Sequence, residues 1–413
     1  MSLVVQKFGG TSLATAEKIH RAARRAIRAK RDGKRVVLVV SAMGSSTDDL
    51  ISLARQVSSN PPKRELDMLL TTGEQVSIAL MAMAISSAGH EAISLTAAQL
   101  GLFTDSVHSR ARIQRISRER IDRELDAGRI VIVAGFQGID ASGEITTMGR
   151  GASDTTATAL AAALEAGTCE IYTDVDGVYT ADPRYVPQAT KIDEISYEIM
   201  LEMAAVGASV MHSRAIVFGK KFHVPIHVRS SLTDAKGTMI MEETPGMEEI
   251  VVQGVTLKED LAFVSLGAVP NHAGIAARIF AEVARNHILV DDIVQNIYGN
   301  GAFANMGFST NASEAVEVRA VCERLAQEMG IGSVEVDEGL CKVSAVGVGM
   351  RTHTGIAAKM FQALADAKIN IENISTSETV TGVIVRSEDG PKALRCIHDA
   401  FGLDKSNNSA RVD

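Results

Sequence analysis

The first part of the chain alternates between short apolar runs and longer segments in which apolar residues recur every three or four positions. The apolar runs lie at 3–5, 35–40, 130–134, 170–173 and 224–228. Helical spacing occurs at 14–29, 48–57, 65–87 and 155–165. Because a run that is apolar on both faces is typical of a covered parallel strand, the pattern predicts an α/β sandwich with a mainly parallel central sheet. Ligands are then expected where loops leave the carboxyl ends of the strands.

A charged turn at 242–246 separates this region from a part of the chain that repeats itself. Shifting the sequence by 81 residues places 272–293 on 353–374, and nine of the 22 aligned residues are identical. Unrelated helices would share roughly one or two. Each copy reads as strand, His-x-Gly loop, helix, strand, strand and helix, which predicts a ferredoxin-like βαββαβ module. Neither copy contains a nucleophile with a base or a metal-ligand cluster, so the pattern favours binding or dimerisation over catalysis.

Composition narrows the class of protein. The net charge is −8, from 50 acidic and 42 basic residues, and there is no long basic run, which argues against a nucleic-acid partner. Four scattered cysteines without a C-x-x-C pair fit a reducing cytoplasm. The longest apolar stretch, 76–88, contains three serines and is shorter than the ~20 residues that span a bilayer. We therefore expect a cytoplasmic protein with no membrane segment.

The segment 7–12, Lys-Phe-Gly-Gly-Thr-Ser, is the first candidate for chemistry. It follows the first apolar run and precedes a helical segment, so it reads as strand, glycine turn and helix N-terminus. Adjacent glycines allow backbone N–H groups to approach an anion, and Lys7 adds a full positive charge. An ordinary β–α turn is the alternative for this segment taken alone.

Four further polar segments carry glycine or carboxylate residues at 41–47, 71–74, 148–154 and 173–184. In order and spacing, the segments 7–12, 41–44, 72–74, 149–154 and 173–179 resemble the aspartate kinase family, which has the amino-acid kinase fold. The two repeats resemble the paired ACT modules of that family. The resemblance implies an ATP-dependent phosphorylation of the side-chain carboxylate of L-aspartate to 4-phospho-L-aspartate, the first step towards lysine, threonine and methionine. It implies a catalytic domain over 1–245 and ACT modules over 246–335 and 336–413.

The resemblance also assigns roles to individual residues. Catalytic roles fall on Lys7 and Asp154. The acceptor site would comprise Ser41, Thr47, Glu74, Arg150 and Ser153. The ATP site would comprise Lys7, Gly9, Gly10, Ser12, Thr173, Asp174, Tyr179, Asp182 and Arg184.

These assignments make physical sense for transfer between two anions. The protein must position the reactants and neutralise their repulsion, a task that suits Lys7 and the glycine amides. Arg150 offers a planar fork for the α-carboxylate of aspartate, and Glu74 offers a negative charge for its ammonium group. The acceptor carboxylate is already ionised at pH 7 and needs no base. ATP and Mg²⁺ are the expected cofactors, and the sequence does not identify metal ligands.

The predicted catalytic domain departs from the family at two positions. Ser209 stands where a nucleotide-binding lysine is usual, so either Lys220 or Lys221 replaces it or ATP is held more weakly. Ala152 stands where glycine is common, which raises the question of a positive φ there.

The repeats imply regulation by lysine, threonine or both, and a homo-oligomer, a dimer or larger, that forms through the ACT modules. Candidate effector residues are Asn271, Gln295, Asn296, Asn373, Ile374, Ser377 and Glu378. Met247 is a candidate internal start for a separate regulatory polypeptide. Two alternatives remain open: an amino-acid kinase for glutamate, N-acetylglutamate or a nucleotide monophosphate, and a catalytically impaired amino-acid sensor.

Overall fold

A computed structural model describes residues 2–149, 151–208, 210–242, 251–348, 350, 353 and 355–404. The chain divides into two compact units. The first contains the residues up to Tyr179, Lys191–Ala205 and the described residues from 210 to 242. The second contains Thr180–Thr190, Val206–Ala208 and the described residues from Val251 onward. The candidate start Met247 lies outside the described residues.

The first unit is built from fourteen strands and eight α-helices within the described ranges. The strands are β1 (Leu3–Phe8), β2 (Arg35–Val40), β3 (Ala92–Leu95), β4 (Leu102–Thr104), β5 (Ile113–Ile116), β6 (Ile130–Ala134), β7 (Gln137–Ile139), β8 (Ile145–Thr147), β9 (Thr168–Thr173), β10 (Val178–Tyr179), β11 (Lys191–Ile192), β12 (Glu194–Ser196), β13 (Ile226–Ser230) and β14 (Thr238–Met241). The helices are α1 (Ala16–Arg31), α2 (Ser46–Val57), α3 (Lys63–Ser87), α4 (Ala97–Leu100), α5 (Glu119–Asp126), α6 (Ala152–Ala163), α7 (Tyr197–Ala205) and α8 (Ser213–Phe222).

An eight-stranded sheet in the order β12-β14-β13-β9-β1-β2-β6-β3 forms the centre of this unit. The neighbours from β13 to β3 are parallel, and the β13–β14 pair is antiparallel. The apolar runs in β2 and β6 are buried, as expected for strands covered on both faces. The mainly parallel sheet predicted from the sequence is therefore confirmed, and it brings the carboxyl ends of β9, β1, β2 and β6 to one edge.

The predicted helices and strands of this unit agree with the observed ones within three residues at each end. The sequence pattern missed β3 and a separate four-stranded sheet in the order β5-β4-β7-β8. Strands of three or four residues, such as those in the small sheet, are too short to give a periodic signal.

One helix in the described part of the chain, α3, is long and apolar enough to cross a membrane by length and composition alone. Half of its most apolar window is buried inside the protein, and core helices often pass the same test. Its buried side chains Ile78, Met81 and Ile85 pack in the core with α1 and the central sheet. α3 thus serves as a core helix in this unit.

The second unit contains β15 (Gly254–Pro270), α9 (Ile275–Arg285), β16 (Asp291–Tyr298), β17 (Phe303–Asn311), α10 (Ala315–Met329), β18 (Ser333–Val346), α11 (Ile356–Asp366), β19 (Asn373–Thr376), β20 (Val380–Arg386) and α12 (Gly390–Ala400). Its six strands form one antiparallel sheet in the order β16-β17-β15-β18-β20-β19. Both repeats therefore contribute to a single sheet.

The two long strands, β15 and β18, are shared between the repeats. The start of β15 pairs with the end of β18, from Gly254 with Val346 to Lys258 with Lys342. The later part of β15 pairs with β17 and with the start of β18. The second module therefore takes one of its four strands from chain that precedes the first module. The sequence boundary proposed at 335/336 falls within β18, and the one at 245/246 lies outside the described residues.

Candidate active site

The glycine turn after β1 lies at the carboxyl edge of the central sheet. It opens a single 3₁₀ turn, Gly10–Leu13, and α1 begins only at Ala16 with Thr15 as its N-cap. A Cβ on Gly10 would approach the Ala42 carbonyl O to 2.9 Å, so this position requires glycine. The turn is therefore tied to the loop after β2, and the segment 7–12 ends before the N-terminus of α1.

Lys7 and Asp154 form a nearly buried ion pair at this edge. The distance from Lys7 Nζ to Asp154 Oδ1 is 2.6 Å. Asp154 lies in the first turn of α6, where the helix dipole favours a negative charge, and its Oδ2 accepts the His212 backbone N–H at 3.4 Å. Gly151 caps α6 with φ of 72°, a left-handed conformation that suits glycine. The pair places one positive charge beside the glycine turn.

Glu74 lies in the middle of α3, within the segment of helical spacing at 65–87. A Cβ on Gly73 would meet the Ala42 Cβ at 2.8 Å, so glycine brings α3 against the loop after β2. Glu74 Oε1 accepts the Ala42 N–H at 3.1 Å, whereas the buried Oε2 has no hydrogen-bond partner among the described residues. Burial raises the pKa of Glu74 to about 7. An unpartnered buried carboxylate oxygen is a ready partner for a cation.

The other predicted acceptor residues lie along the same edge. Ser41 follows β2 and donates its backbone N–H to Phe8 O at 3.2 Å, and Thr47 is the second residue of α2. Ser153 is buried against Gly135, which follows β6, because a Cβ on Gly135 would meet Ser153 Oγ at 2.6 Å. Arg150 lies outside the described residues.

The predicted ATP residues are used in several different ways. Gly9 N–H donates to Tyr172 O at 3.3 Å, and Ser12 Oγ donates to Ser231 Oγ at 2.8 Å, so both groups already have protein partners. Thr173 ends β9, and its hydroxyl donates a hydrogen bond to Oδ1 of the exposed Asp174 at 3.1 Å. Tyr179 OH donates to Asp176 Oδ1 at 2.7 Å, and burial raises the pKa of Tyr179 to about 12.

Asp182 and Arg184 belong to the second unit. Their side chains pair with each other, and the Arg184 N–H donates to Asp182 Oδ1 at 2.9 Å. The Arg184 guanidinium holds the pKa of Asp182 below its usual value.

The departures from the family are partly resolved. Ala152 is an ordinary first residue of α6 and has no positive φ. Ser209 lies outside the described residues. Lys220 pairs with Glu198, and Lys221 Nζ lies 5.2 Å from the ring centroid of Phe222. Both lysines lie in the last turn of α8, just before β13 begins at the amino edge of the sheet, whereas Lys7 lies at the carboxyl edge.

Sequence reasoning missed three residues that support this edge. His212 packs against Gly151, whose Cβ would lie 2.4 Å from the imidazole Cδ2, and burial lowers the pKa of His212. Arg214 donates to Met148 O at 2.9 Å and to Ala111 O at 3.2 Å, which holds the chain just before Gly149. Ser231 positions Ser12. The only available signal was the polar cluster at 212–214, which has no motif of its own.

The candidate effector residues lie at several places within the second unit. Gln295, Asn296 and Asn373 line one groove of about 380 Å³ on the sheet. Asn271 lies elsewhere, where its Nδ2 donates to Gly301 O at 2.7 Å. Ile374 is half exposed on β19, while Ser377 and Glu378 lie between β19 and β20.

No cluster of three or more His, Cys, Asp or Glu side chains within the described ranges could hold a metal ion. Mg²⁺ usually binds with the phosphates of a nucleotide and needs only one or two protein carboxylates. Asp174, which is exposed just after β9, could supply such a carboxylate.

Two protein-family models match parts of this chain. Residues 2–230 match the amino acid kinase family model, and residues 343–401 match an ACT domain model. An aspartokinase of Bacillus sp. (strain MGA3) is 48% identical over 406 residues, which is 98% of each chain. An aspartokinase of Mycolicibacterium smegmatis is 47% identical over 411 residues, 98% of this chain and 97% of that protein. The structure of E. coli aspartokinase III in complex with aspartate and ADP has a TM-score of 0.81 and 25% identity, and covers 96% of this chain and 99% of that chain.

These matches confirm the predicted amino-acid kinase fold with ACT modules. Because relatives far above 30% identity cover nearly the whole length, the chain belongs to the aspartokinase family, the aspartate kinases.

Proposed function

We propose that this enzyme transfers the γ-phosphoryl group of ATP to the side-chain carboxylate of L-aspartate, giving 4-phospho-L-aspartate. The Lys7–Asp154 pair carries the proposal, because it holds a nearly buried cation beside the glycine turn at the carboxyl edge of the sheet. The aspartate and ADP bound by E. coli aspartokinase III support the same pair of ligands here.

In this mechanism Lys7 neutralises charge on the transferring phosphoryl group, and Asp154 holds the lysine side chain in place. Preorganised charges of this kind are usually the main contribution to phosphoryl transfer. Glu74 Oε2 pairs with the substrate ammonium, and Ser41, Thr47, Ser153 and Arg150 bind its carboxylates. No general base acts on the acceptor, since its carboxylate is ionised at neutral pH.

Nucleotide binding is assigned to Gly9, Gly10, Ser12, Thr173, Asp174, Tyr179, Asp182 and Arg184. The partners found for Gly9 and Ser12 favour a role in shaping the loop, while Asp174, whose side chain is exposed, is assigned to ATP or its Mg²⁺. Mg²⁺, when bound with ATP, would offset charge on the phosphates. The absence of Lys220 and Lys221 from this edge supports weaker ATP binding as the consequence of Ser209, and Ser209→Lys should then lower the KM for ATP.

The decisive experiment measures ADP release and hydroxamate formation from purified protein with ATP and, separately, aspartate, glutamate, N-acetylglutamate and a nucleoside monophosphate. Aspartate alone should support turnover and form the hydroxamate of an acyl phosphate. Turnover with another acceptor at equal rate would overturn the substrate assignment, and no turnover with any acceptor would favour the sensor.

We further propose that lysine, threonine or both regulate the enzyme, which would act in the cytoplasm as the first step towards lysine, threonine and methionine. The groove with Gln295, Asn296 and Asn373 supports an amino-acid effector, because its amide groups can pair with both an ammonium and a carboxylate. Exposed apolar side chains on β16, including Ile293 and Ile297, support a homo-oligomer formed through this sheet. The division into 1–245, 246–335 and 336–413 also remains a proposal.

Regulation is tested by assaying turnover with lysine and threonine, singly and together, for the wild type and for Gln295→Ala. We expect inhibition of the wild type and a higher inhibitor concentration for the variant. Complete insensitivity of the wild type would remove the regulatory proposal, and light scattering of Ile297→Glu against wild type would test the oligomer.

A further inference from the structure

The segment Thr180–Thr190 leaves the first unit and folds as part of the second. On either side of it, β10 and β11 pair in an antiparallel ribbon of the first unit, Val178 with Ile192 and Tyr179 with Lys191. Within the segment, Ala181 and Val186 are buried in the core of the second module. The chain that carries the predicted nucleotide residues is thus anchored in a regulatory module.

Thr180 is the most heavily bonded residue of this anchor. Its carbonyl accepts the Val255 N–H at 2.7 Å, and its N–H donates to Thr190 O at 2.9 Å. Its hydroxyl oxygen accepts the Thr190 N–H at 3.0 Å and lies 3.3 Å from Leu403 O and 3.0 Å from His398 Nε2. A hydroxyl has one hydrogen, and the Leu403 carbonyl can only accept it. The third partner must therefore donate, which assigns the imidazole proton to Nε2.

His398 is fully buried in α12, so this bond is made away from water. Further bonds fix the middle of the segment: Tyr185 OH donates to Glu259, and Arg395 donates to Tyr185 O at 3.3 Å. Between these anchors lies the turn of Asp182 and Arg184. Its conformation therefore depends on α12 and β15 of the second unit.

We infer that the second ACT module sets the conformation of the nucleotide loop, with His398 as the positioning residue. This inference rests on the proposed nucleotide role of the loop from Tyr179 to Arg184. Loss of the imidazole removes one of the two donors to the buried Thr180 hydroxyl, leaving only the Thr190 N–H, and releases the loop from α12. Affinity for ATP should fall, while the aspartate site and the Lys7–Asp154 pair keep their geometry.

The test compares wild type, His398→Ala, His398→Gln and Leu364→Ala in the full-length chain. Leu364 is a fully buried residue of α11 in the same core and controls for simple destabilisation. Below the unfolding temperature of every variant, His398→Ala should raise the KM for ATP and the Kd for ADP by about fivefold or more, with the KM for aspartate unchanged. His398→Gln retains an N–H donor and should restore part of the affinity, and Leu364→Ala should leave both constants near the wild-type values.

If the wild type is active and His398→Ala has an unchanged KM for ATP and Kd for ADP, the inference about the loop is overturned and the proposed function stands. An equal rise in His398→Ala and Leu364→Ala would also overturn it, since destabilisation would then explain the effect. A wild type that binds ADP but does not phosphorylate aspartate would instead contradict the proposed function, and the ADP measurement would still test the loop.

Discussion

The first unit and the second unit each contain a lysine and an aspartate joined at 2.6 Å in a nearly buried setting: Lys7 with Asp154, and Lys342 with Asp292. The side chains are 12% and 10% exposed in the first pair and 6% and 11% exposed in the second. By distance and burial alone the two pairs are nearly the same.

Their surroundings differ. Lys342 lies within β18 and contacts both oxygens of Asp292, at 2.8 and 2.6 Å, so each partner satisfies the other. Lys7 contacts one oxygen of Asp154, lies one residue before the end of β1 and is followed by a glycine turn. A buried ion pair therefore indicates a reaction site only when its position leaves the lysine beside a loop that a ligand can approach.

Replacing Lys7 should have the largest effect, because it tests directly whether the first ion pair takes part in the reaction. Lys7→Ala removes a preorganised charge, so turnover should fall by roughly a thousandfold, about 4 kcal/mol of transition-state stabilisation. The measurement is kcat by coupled ADP release, with circular dichroism to show that the fold remains. A variant that keeps more than a tenth of the wild-type kcat would contradict the catalytic role.

Replacing Lys342 is the matched experiment in the second unit. Lys342→Ala leaves Asp292 without its partner, and the free energy of unfolding of this unit should fall by about 3 kcal/mol. Basal kcat should stay within about threefold of wild type at temperatures where both units are folded. Urea titration followed by circular dichroism measures the loss of stability. A large fall in kcat without a loss of stability would instead indicate that Lys342, like Lys7, takes part in the reaction.

Glu74 differs from both aspartates because it is buried with an oxygen that accepts no hydrogen bond from any described residue. Its folded pKa of about 7 exceeds the usual 4.5, so the folded state favours the protonated form. The free energy of unfolding should therefore fall by about 2–3 kcal/mol as pH rises from about 4.5 to about 7, and Glu74→Gln should lack this fall. Denaturation of both proteins at pH 5 and pH 8 measures the difference, and the same pH dependence in both would refute it.

The same carboxylate predicts a pH effect on substrate binding. Only ionised Glu74 pairs with an ammonium group, so the KM for aspartate should rise as pH falls below about 7 in the wild type. Glu74→Gln should have a high KM that changes little between pH 6 and pH 8. A steep pH dependence that survives in the variant would assign it to another group.

Ser12 should give the smallest effect. Its hydroxyl is bonded to Ser231, so Ser12→Ala should lower the free energy of unfolding by about 1 kcal/mol and change the KM for ATP by less than about threefold. Ser231→Ala is the matched control and should behave alike. A tenfold rise in the ATP KM for Ser12→Ala alone would show that this hydroxyl binds the nucleotide instead.

Much of the fold was predictable because long parallel strands and amphipathic helices carry strong periodic signals. The site was predictable only as a set of loops. Glu74 illustrates the limit. The helix around it was predicted, but its bond to the Ala42 N–H depends on the close packing of Gly73 against Ala42, a contact between residues 31 apart in the chain. Ser12 shows a second limit. Its hydroxyl is of a type that could bind phosphate, but it donates a hydrogen bond to Ser231, more than two hundred residues away. His212 and Arg214 left only a polar cluster without a motif, because their partners, such as Asp154 and Met148, lie far away in the sequence.

The sharing of β15 between the two modules has a consequence for how the chain folds. Gly254 at its start pairs with Val346 at the end of β18, so the second module cannot close until the whole first module has been synthesised. Pairings of such large sequence separation slow folding, because loop closure must precede the contacts that stabilise it. The first module, whose strands follow one another closely, should therefore become protected from hydrogen exchange first during refolding. Growth of the chain from the ribosome would impose the same order.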